Sequence, residues 1–444
     1  MKLRLLFFLF IGLAYSQRVV GYYPYWMQDE FQPQDLDLET FTHINHAFAW
    51  PNEEGEIEAP IGMFDASIAD HIHNNNRKFL LSLGGWGAAD GFVAATSTYE
   101  LRSVFISNIL DKFISYGYDG ADIDWEHPQT NEQRNNLTLF IAELDSVLDE
   151  FDPELLITMA LPTSNWSGQW YAMNSLNQYV DFFNAMTYDI HGSWSSHAGH
   201  NSPLYQSPPG DADGSVQTGI NYLVNTRGLP ESKVNMGIPF WGKKYNASTI
   251  NGSFSGSVID MYYYEILPLI GNGWTYHWDD VAKCPYLVKS DGTKIITYDN
   301  PLSIQYKCDF AQNRNLGGVM VWALGYDDME SEESLTGAIS TYWLNLEEGD
   351  KTILPDQVGL ESYPNPFNPQ TQIKFYLPGP RQINLSLFDI KGRSIHTLAE
   401  GHFVQGAHSF EWNPAQNQHI SSGVYLVMLQ TGNSILSKKI LYLK

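Results

Sequence analysis

The sequence predicts an α/β protein built on a (β/α)8 TIM barrel, with a small α+β insertion domain between barrel strands 7 and 8 and a β-sandwich at the C-terminus. Three observations point to this architecture. Between Arg18 and about Asn345, eight short apolar runs alternate with helical stretches. A Gly/Ser/Asn-rich and then aromatic-rich segment separates the last two runs. The final stretch, roughly 80 residues long, carries short alternating strands with Pro/Asn turns.

The barrel strands are predicted from the apolar runs RVVGYYPYW, FTHINHAFAW, KFLLSLGGWG, YDGADIDWE, LLITMALPTS, VDFFNAMTYD, KVNMGIPFWG and LGGVMVWAL. Between them, windows such as LRSVFISNILDKFISYG and LTLFIAELDSVLDEFD have the apolar spacing of amphipathic helices. Apolar strands separated by helices form a parallel sheet that is covered on both faces. A doubly wound open sheet is the alternative, and the lack of a Gly-rich dinucleotide motif after the first strand disfavours it.

Changes in composition predict the domain boundaries. The basic and then apolar N-terminus MKLRLLFFLFIGLAYSQ is typical of a secretory signal peptide. The expected segments are a signal peptide at 1–16, the barrel domain at 17–345 with its insertion at 243–297, a linker at 346–361 and the β-sandwich at 362–444. We found no other run of eighteen apolar residues, so we expect a soluble mature protein without membrane insertion.

Charge and composition limit the possible partners. The net charge of −25 argues against nucleic acid and anionic membrane surfaces, which both select basic patches. An aromatic content of 14%, with 13 Trp, suits neutral sugars that stack on exposed rings. The two cysteines, Cys284 and Cys308, could form one disulfide or remain two buried thiols, and they match no metal-ligand spacing.

An alternating run of carboxylates marks the fourth strand candidate, YDGADIDWEHP. Asp122, Asp124 and Glu126 are separated by apolar residues, so they share one face of a strand near its carboxyl end. In a barrel, this end forms the mouth, where side chains converge. Like charges this close cannot all ionise, so at least one carboxyl group stays protonated near neutral pH. A general acid for cleaving a glycosidic bond needs such a group.

Further candidate site residues lie at the ends of other strand candidates. The segment MTYDIHGSW ends the sixth strand with Met186, Tyr188 and Asp189. Tryptophans end or follow the third, seventh and eighth strands: Trp86, Trp241 and Trp322. A single tryptophan is more often part of a core, but several at matching strand ends favour a cleft lined for sugars.

These motifs together resemble glycoside hydrolase family 18, the chitinases and their relatives. The segment DGADIDWE, from Asp119 to Glu126, resembles the family signature DGxDxDxE. SLGGW at Ser82–Trp86 is similar to the family motif SxGG, and MTYD at Met186–Asp189 is similar to MxYD. GIPFWG at Gly237–Gly242 corresponds to the family's seventh strand, and YDNP at Tyr298–Pro301 precedes the last helix. Trp322 occupies the place of the family's pocket-floor tryptophan. The resemblance spans about residues 18–345 in the family's order.

The resemblance implies a retaining mechanism in which the substrate's own 2-acetamido oxygen attacks the anomeric carbon. Glu126 is the expected acid and base, while Asp124 binds the acetamido N–H and shares a proton with Asp122. Tyr188 is expected to bind the acetamido oxygen, Asp189 to bind the distorted sugar and Trp322 to stack beneath it. We expect further substrate contacts from Met186, Trp86, Tyr22, Phe48, Trp241 and His127. The resemblance implies no metal or organic cofactor.

Two positions depart from the family pattern. His127-Pro128 follows the acid where many relatives have Tyr-Pro, so His127 is expected either to contact substrate or Glu126 or to be a packing substitution. Lys243 stands where relatives often have Arg, which replaces a bidentate donor with a point charge.

The C-terminal segment resembles a type IX secretion sorting domain of Gram-negative bacteria. The resemblance rests on YPNPFNP at residues 363–369, the strand Ile373–Leu377, the terminal Gly423-Val424-Tyr425 and Lys438-Lys439. It implies secretion to the cell surface or medium through that machinery. A sugar-binding or spacer β-sandwich is the alternative.

We therefore expect a secreted, monomeric chitinase that acts on chitin or chitooligosaccharides. An endo-β-N-acetylglucosaminidase or a peptidoglycan hydrolase of the same family is the closest alternative. A non-catalytic chitin-binding lectin is a third reading, which the presence of Glu126 disfavours.

Overall fold

The computed structural model describes residues 17–344 and 359–442, the latter with gaps at 364, 366, 378–380, 390, 392, 404–405, 415–419 and 432–433. The chain divides into two compact units between residues 347 and 348. The predicted signal peptide and most of the predicted linker lie outside the described residues.

The first unit contains a closed barrel of eight parallel strands. The strands are Arg18–Pro24, His43–Pro51, Lys78–Gly84, Gly120–Asp124, Leu156–Leu161, Phe182–Ala185, Val234–Pro239 and Gly318–Trp322. The first strand pairs in parallel with both the second and the eighth, as Val20 with His43 and Val19 with Val319. This closure confirms the predicted barrel and excludes the open doubly wound sheet. A two-residue strand, Ile57–Glu58, also pairs with the end of the second strand and was not predicted.

Helices cover the outside of the barrel. Their bounds are Ala66–Asn74, Ala89–Ala95, Tyr99–Tyr116, Asn131–Phe151, Asn165–Gly168, Met173–Leu176, Val216–Asn221, Pro301–Asn313 and Leu335–Tyr342. Tyr99–Tyr116 and Asn131–Phe151 correspond to the two predicted helical windows. The first of these buries Phe105, Ile109 and Phe113, which lie four residues apart on one face. None of the helices in the described parts of the chain is long and apolar enough to cross a membrane.

The predicted insertion forms a five-stranded antiparallel sheet between the last two barrel strands. Its strands are Trp241–Asn246, Ser255–Tyr262, Trp274–Asp279, Cys284–Lys289 and Ile295–Thr297, and a short helix follows the second of them at Tyr263–Ile266. Cys284 and Cys308 are both free and buried, and the Cys284 thiol donates to the carbonyl oxygen of Ser202 at 3.3 Å. The structure therefore has buried thiols here, the second of the two possibilities left open by the sequence.

The second unit is all β within its described residues. It contains a three-stranded and a four-stranded antiparallel sheet. The strands are Gly359–Tyr363, Thr371–Leu377, Arg381–Asp389, Ser394–Phe403, Gly406–Trp412, Gly423–Thr431 and Ser434–Tyr442. Alternate residues such as Ile373, Leu385 and Val427 form its own apolar core. These sheets agree with the predicted β-sandwich.

A buried ion pair inside the first unit gives a stability prediction. The Lys307 ammonium donates to both carboxylate oxygens of Asp299 at 2.7 Å and to Ser202 Oγ at 2.8 Å, and neither charged side chain is more than 1% exposed. Lys307→Met leaves an uncompensated buried carboxylate, so the free energy of unfolding is expected to fall by about 3–5 kcal/mol. Chemical denaturation of the full chain measures this change.

The matched control is Lys289→Met, which breaks an ion pair with Asp291 in which both side chains are more than a third exposed. The control variant should unfold at the wild-type denaturant concentration. Equal effects of the two substitutions would contradict the assigned role of Lys307.

Candidate active site

Three carboxylates meet at the carboxyl end of the fourth barrel strand. Asp122 and Asp124 lie in the strand and are 0% and 5% exposed. Glu126 lies two residues beyond the strand end, with its side chain 15% exposed. Between them, Trp125 points away and packs flat against Phe92, with ring centroids 5.3 Å apart. The strand alternation therefore brings all three predicted carboxylates to the mouth of the barrel.

Asp122 is held by side-chain donors from four other strands. Its carboxylate accepts hydrogen bonds from Tyr22 Oη at 2.8 Å, Ser82 Oγ at 2.7 Å, Thr158 Oγ1 at 2.6 Å and Asn184 Nδ2 at 3.2 Å. Burial raises the pKa of Asp122, and the four donors oppose this by stabilising the anion. Among the three carboxyl groups of the site, these donors favour the negative charge on Asp122.

Asp124 has no such support. Its Oδ1 atom is buried and has no hydrogen-bond partner among the described residues. Burial, followed by the charges of Glu126 and Asp122, raises the pKa of Asp124 well above its ordinary value. These effects favour the protonated form of Asp124, while one of its oxygens lacks a partner. A buried acceptor without a partner is costly, so it is ready to receive a ligand N–H group.

Glycines of the third strand allow this carboxylate strand to come close. A Cβ atom on Gly84, which has φ +125°, would lie 2.0 Å from the Asp124 carbonyl oxygen. The next amide, of Gly85, donates to that same oxygen at 2.9 Å. A Cβ atom on Gly85 would meet the Phe48 ring at 2.6 Å. The two glycines of SLGGW are therefore required by close packing of the site.

Glu126 lies next to a neutral histidine. Burial, with a smaller contribution from the charge of Asp189, raises the pKa of Glu126 to about 7. His127 Nε2 is 3.5 Å from Glu126 Oε2, and His127 Nδ1 is 3.3 Å from the Tyr171 hydroxyl. The Tyr171 hydroxyl donates its own hydrogen to the Trp125 carbonyl at 2.6 Å, so it can only accept a hydrogen bond from His127. His127 Nδ1 therefore carries the ring hydrogen, and Nε2 is unprotonated.

Burial also lowers the pKa of His127 to about 4. A neutral imidazole does not stabilise the Glu126 anion, so it leaves the pKa of the acid high. The His127 ring also meets the edges of Trp86 and Trp166, with centroids 6.2 and 5.7 Å apart. The residue that departs from the family pattern therefore contacts Glu126 and two tryptophans that are 78% and 72% exposed.

The segment after the sixth strand forms another wall of the site. The Tyr188 ring meets Trp241 edge to face at 5.0 Å, and burial together with the nearby carboxylates raises the Tyr188 pKa well above its ordinary value. Tyr188 is therefore a neutral hydrogen-bond donor. Its neighbour Asp189 turns the chain with φ +53° and pairs with Lys243 Nζ at 2.6 Å. Lys243 also pairs with Asp260 of the insertion sheet at 2.8 Å.

Trp322 lines an aromatic cavity. Its ring stacks on Phe48, with centroids 5.4 Å apart and an interplanar angle of 17°. The cavity has a volume of ≈ 530 Å³. Aromatic residues that line it are Tyr25, Trp26, Phe48, Trp50, Trp86 and Trp322. Such a surface suits the apolar faces of sugar rings.

The residues predicted to contact substrate differ in how far they are exposed. Tyr22 and Trp241 are 1% and 7% exposed, so they offer little surface to a substrate. Met186 directly follows the sixth strand and is half-buried. Asp119 lies at the opposite end of its strand and pairs with Lys78 and His73. Several exposed or cavity-lining aromatic residues were not predicted from the sequence: Tyr25, Trp26, Trp50, Trp166 and Trp194. The available signal was their position near strand ends: Tyr25 and Trp26 directly follow the first strand, and Trp50 is the last residue but one of the second.

Comparison with known proteins identifies both units. Residues 18–327 match the glycosyl hydrolases family 18, and residues 361–442 match the secretion system C-terminal sorting domain. The second match indicates a secreted protein, found outside the cell or at its surface. Among curated relatives, chitinase A1 of Niallia circulans is 29% identical over 399 residues, covering 71% of this chain and 57% of the relative. A probable endochitinase of Caenorhabditis elegans is 31% identical over 338 residues, covering 68% and 54%.

Solved structures give the same assignment. The Group IV chitinase of Ostrinia furnacalis in complex with allosamidin has a TM-score of 0.69 and 27% identity, covering 74% of this chain and 99% of that one. An immunomodulatory active chitinase from Trichuris suis has a TM-score of 0.66 and 27% identity, covering 70% and 93%. The chain spans a little over half the length of the two curated relatives named above. Because the family match extends through the barrel and the insertion, this chain belongs to glycosyl hydrolases family 18.

Proposed function

We propose that the barrel unit is a chitinase that hydrolyses β-1,4 bonds between N-acetylglucosamine units with retention of configuration. The observation that carries this proposal is the buried, unpartnered Oδ1 of Asp124 beside Glu126, whose pKa is about 7. An acetamido N–H group supplies the donor that this oxygen lacks. A neighbouring acid that is half protonated near pH 7 can protonate a glycosidic oxygen.

In the first step, Glu126 protonates the leaving oxygen while the 2-acetamido oxygen attacks the anomeric carbon. The glycosidic bond breaks, and an oxazolinium ion forms on the substrate itself. Asp124 accepts the acetamido N–H and stabilises the positive charge, while the neutral Tyr188 hydroxyl donates to the acetamido oxygen. In the second step, the Glu126 carboxylate takes a proton from water, which attacks the anomeric carbon and opens the oxazolinium ring.

Asp122 supports this chemistry through the charge it shares with Asp124. The pair carries one negative charge, and the four donors to Asp122 favour its placement there while Asp124 is protonated. Binding of the acetamide gives Asp124 a donor of its own. The proton can then move from Asp124 to Asp122. The single negative charge of the pair then lies on Asp124, next to the reacting centre.

The aromatic surfaces fit a polymer chain of several sugars. Trp322 and Phe48 form a stacked aromatic surface. The distorted sugar is proposed to stack on Trp322, while Asp189 binds it from the side. Trp86 and Trp166 flank His127 and present most of their surface to solvent. Exposed rings next to His127, together with the aromatic cavity, favour a chain with successive stacked sugars over a single terminal residue.

Product analysis of chitin hexamer, an N-glycopeptide and peptidoglycan tests the substrate assignment. Wild-type protein is expected to shorten the hexamer, while Glu126→Gln leaves it intact. Cleavage of only the glycopeptide or only peptidoglycan would assign the chain to one of the two related activities. Binding of the hexamer without cleavage by the wild type would show a lectin.

For the second unit, we propose export by the type IX machinery of a Gram-negative bacterium. The support is the sorting-domain match together with the antiparallel sheets that extend from Gly359 to Tyr442. The secreted enzyme is proposed to act as a monomer on chitin or chitooligosaccharides outside the cell.

A further inference from the structure

We propose that the loop after the sixth barrel strand binds one divalent transition-metal ion, of the zinc class, through His191, His197 and Asp211. The Asp211 Oδ2 atom lies 2.9 Å from His191 Nε2 and 3.1 Å from His197 Nε2. All three ligand atoms lie within 4.8 Å of one another. This proposal concerns a site apart from the catalytic carboxylates and does not depend on the proposed function.

The His191 ring is held in the tautomer that a metal ion needs. Its Nδ1 lies 2.8 Å from the carbonyl oxygen of His200, which can only accept, so Nδ1 carries the hydrogen. In the neutral ring, the Nε2 lone pair then points at the Asp211 carboxylate. A lone pair and a carboxylate oxygen at 2.9 Å repel unless a cation lies between them. A carbonyl behind a ligating imidazole is also the usual support at metal sites.

Packing fixes this ring before any ion binds. His191 is 0% exposed, and a Cβ atom on Gly199 would come within 2.2 Å of the ring. Gly199 therefore lets the imidazole lie flat against the backbone. A preformed ligand loses little conformational freedom on binding, which favours affinity.

Two histidines converge on one carboxylate oxygen, and this favours a metal ion over protons. Their rings are 5.0 Å apart, and both Nε2 atoms approach Asp211 Oδ2. To fill both contacts with protons, the buried His191 ring would have to carry a hydrogen on both nitrogens, whereas His197 could donate from a neutral ring whose Nδ1 accepts from Ser196 Oγ at 3.3 Å. A single divalent ion instead accepts both nitrogen lone pairs and one carboxylate oxygen.

The donor set selects the class of ion. Two imidazole nitrogens and a carboxylate suit zinc and its neighbours, whereas calcium and magnesium prefer oxygen ligands. Tetrahedral zinc with bonds of about 2.0 Å places its ligand atoms about 3.3 Å apart, so the observed contacts need to open by only a few tenths of an ångström. Asp213 can take the fourth position, since its Oδ2 is 3.8 Å from His191 Nε2 and its side chain is 28% exposed.

The ion would tie together a long loop at the mouth of the barrel. The loop begins at Asp189 and ends at the helix Val216–Asn221. Asp189 N donates to the Asn201 side chain at 3.0 Å, and Asn201 in turn donates to the Trp241 carbonyl at 3.1 Å. A metal cross-link from His191 to Asp211 joins the start of this loop to its far part. Its role is therefore structural, and it fixes the segment that carries Asp189.

Calorimetric titration of ZnCl2 into the full chain, purified without a polyhistidine tag and dialysed against EDTA, tests the site. We expect one zinc ion per chain and a higher melting temperature with zinc than with EDTA. Calcium and magnesium chloride should produce neither effect. His197→Gln and Asp211→Asn should each weaken zinc binding by at least about tenfold.

The matched control is His277→Gln, which removes an exposed histidine of the insertion sheet and should bind zinc like the wild type. Melting temperatures in EDTA show whether each variant still folds. If the wild type takes up no zinc, the proposal is wrong. It is equally wrong if zinc binds with wild-type affinity to folded His197→Gln and Asp211→Asn, because the ion then lies elsewhere.

Discussion

Glu126→Gln is expected to lower kcat on chitin hexamer by about 10²–10⁴-fold, because an amide cannot protonate the leaving oxygen. The side chain keeps its size, so KM should change little. Initial-rate kinetics on the full chain measure both constants. The matched control is Glu132→Gln, an exposed residue in the first turn of the next helix, which should keep wild-type kcat.

The pH dependence of wild-type kcat/KM should report the ionisation of Glu126. Burial raises the pKa of Glu126 to about 7, and the acid works only while protonated. As pH rises through about 7, kcat/KM should therefore fall. A Glu126→Gln variant within tenfold of wild-type kcat would show that another residue supplies the proton.

Asp124→Asn is expected to lower kcat by about 10²–10³-fold, because it removes the negative charge that stabilises the oxazolinium ion. Asparagine has the same shape, and its amide oxygen can still accept the acetamido N–H. Substrate binding should therefore be less affected than kcat. The comparison isolates the charge of Asp124 from its hydrogen bond.

The control for this substitution is Asp111→Asn, an exposed position on the outer helix Tyr99–Tyr116. It changes net charge by the same amount and should leave kcat unaltered. If Asp124→Asn lowered only substrate affinity and left kcat at the wild-type value, the charge would have no part in the reaction.

The barrel could be predicted from sequence because its signals are local. Each strand is a short apolar run, and each long helix repeats buried residues three or four apart, as in Phe105, Ile109 and Phe113. The carboxylates Asp122, Asp124 and Glu126 could be placed on one face by strand alternation alone. Their position in the last residues of the apolar run also placed them at the carboxyl end, where barrel sites form.

The partners of Asp122 could not be predicted in this way. Three of its donors, Ser82, Thr158 and Asn184, come from different strands that meet only when the barrel closes. Each is a polar residue inside an otherwise apolar run: LLSLGG, LITMAL and DFFNAM. In a strand covered on both faces, such a residue needs a buried partner, and this was the signal available in the sequence.

Loop residues were harder still. The roles of His127 and of the His191, His197 and Asp211 cluster depend on contacts between segments without periodicity. The two cysteines match no metal-ligand spacing, and the family resemblance implies no metal, so a metal site was not predicted. Tautomers and convergence on one oxygen appear only in three dimensions.

In the proposed mechanism the nucleophile is the substrate's own acetamido group, and kcat/KM for two aryl chitobiosides distinguishes it from a nucleophile on the protein. One substrate carries N-acetyl and the other N-trifluoroacetyl on the sugar next to the aryl group. The aryl leaving group needs little protonation, so the comparison isolates the nucleophile. Fluorine withdraws electrons from the amide oxygen, and kcat/KM is expected to fall steeply. Equal values for the two substrates would show that the acetamido oxygen does not attack the anomeric carbon, and would point to a nucleophile supplied by the protein.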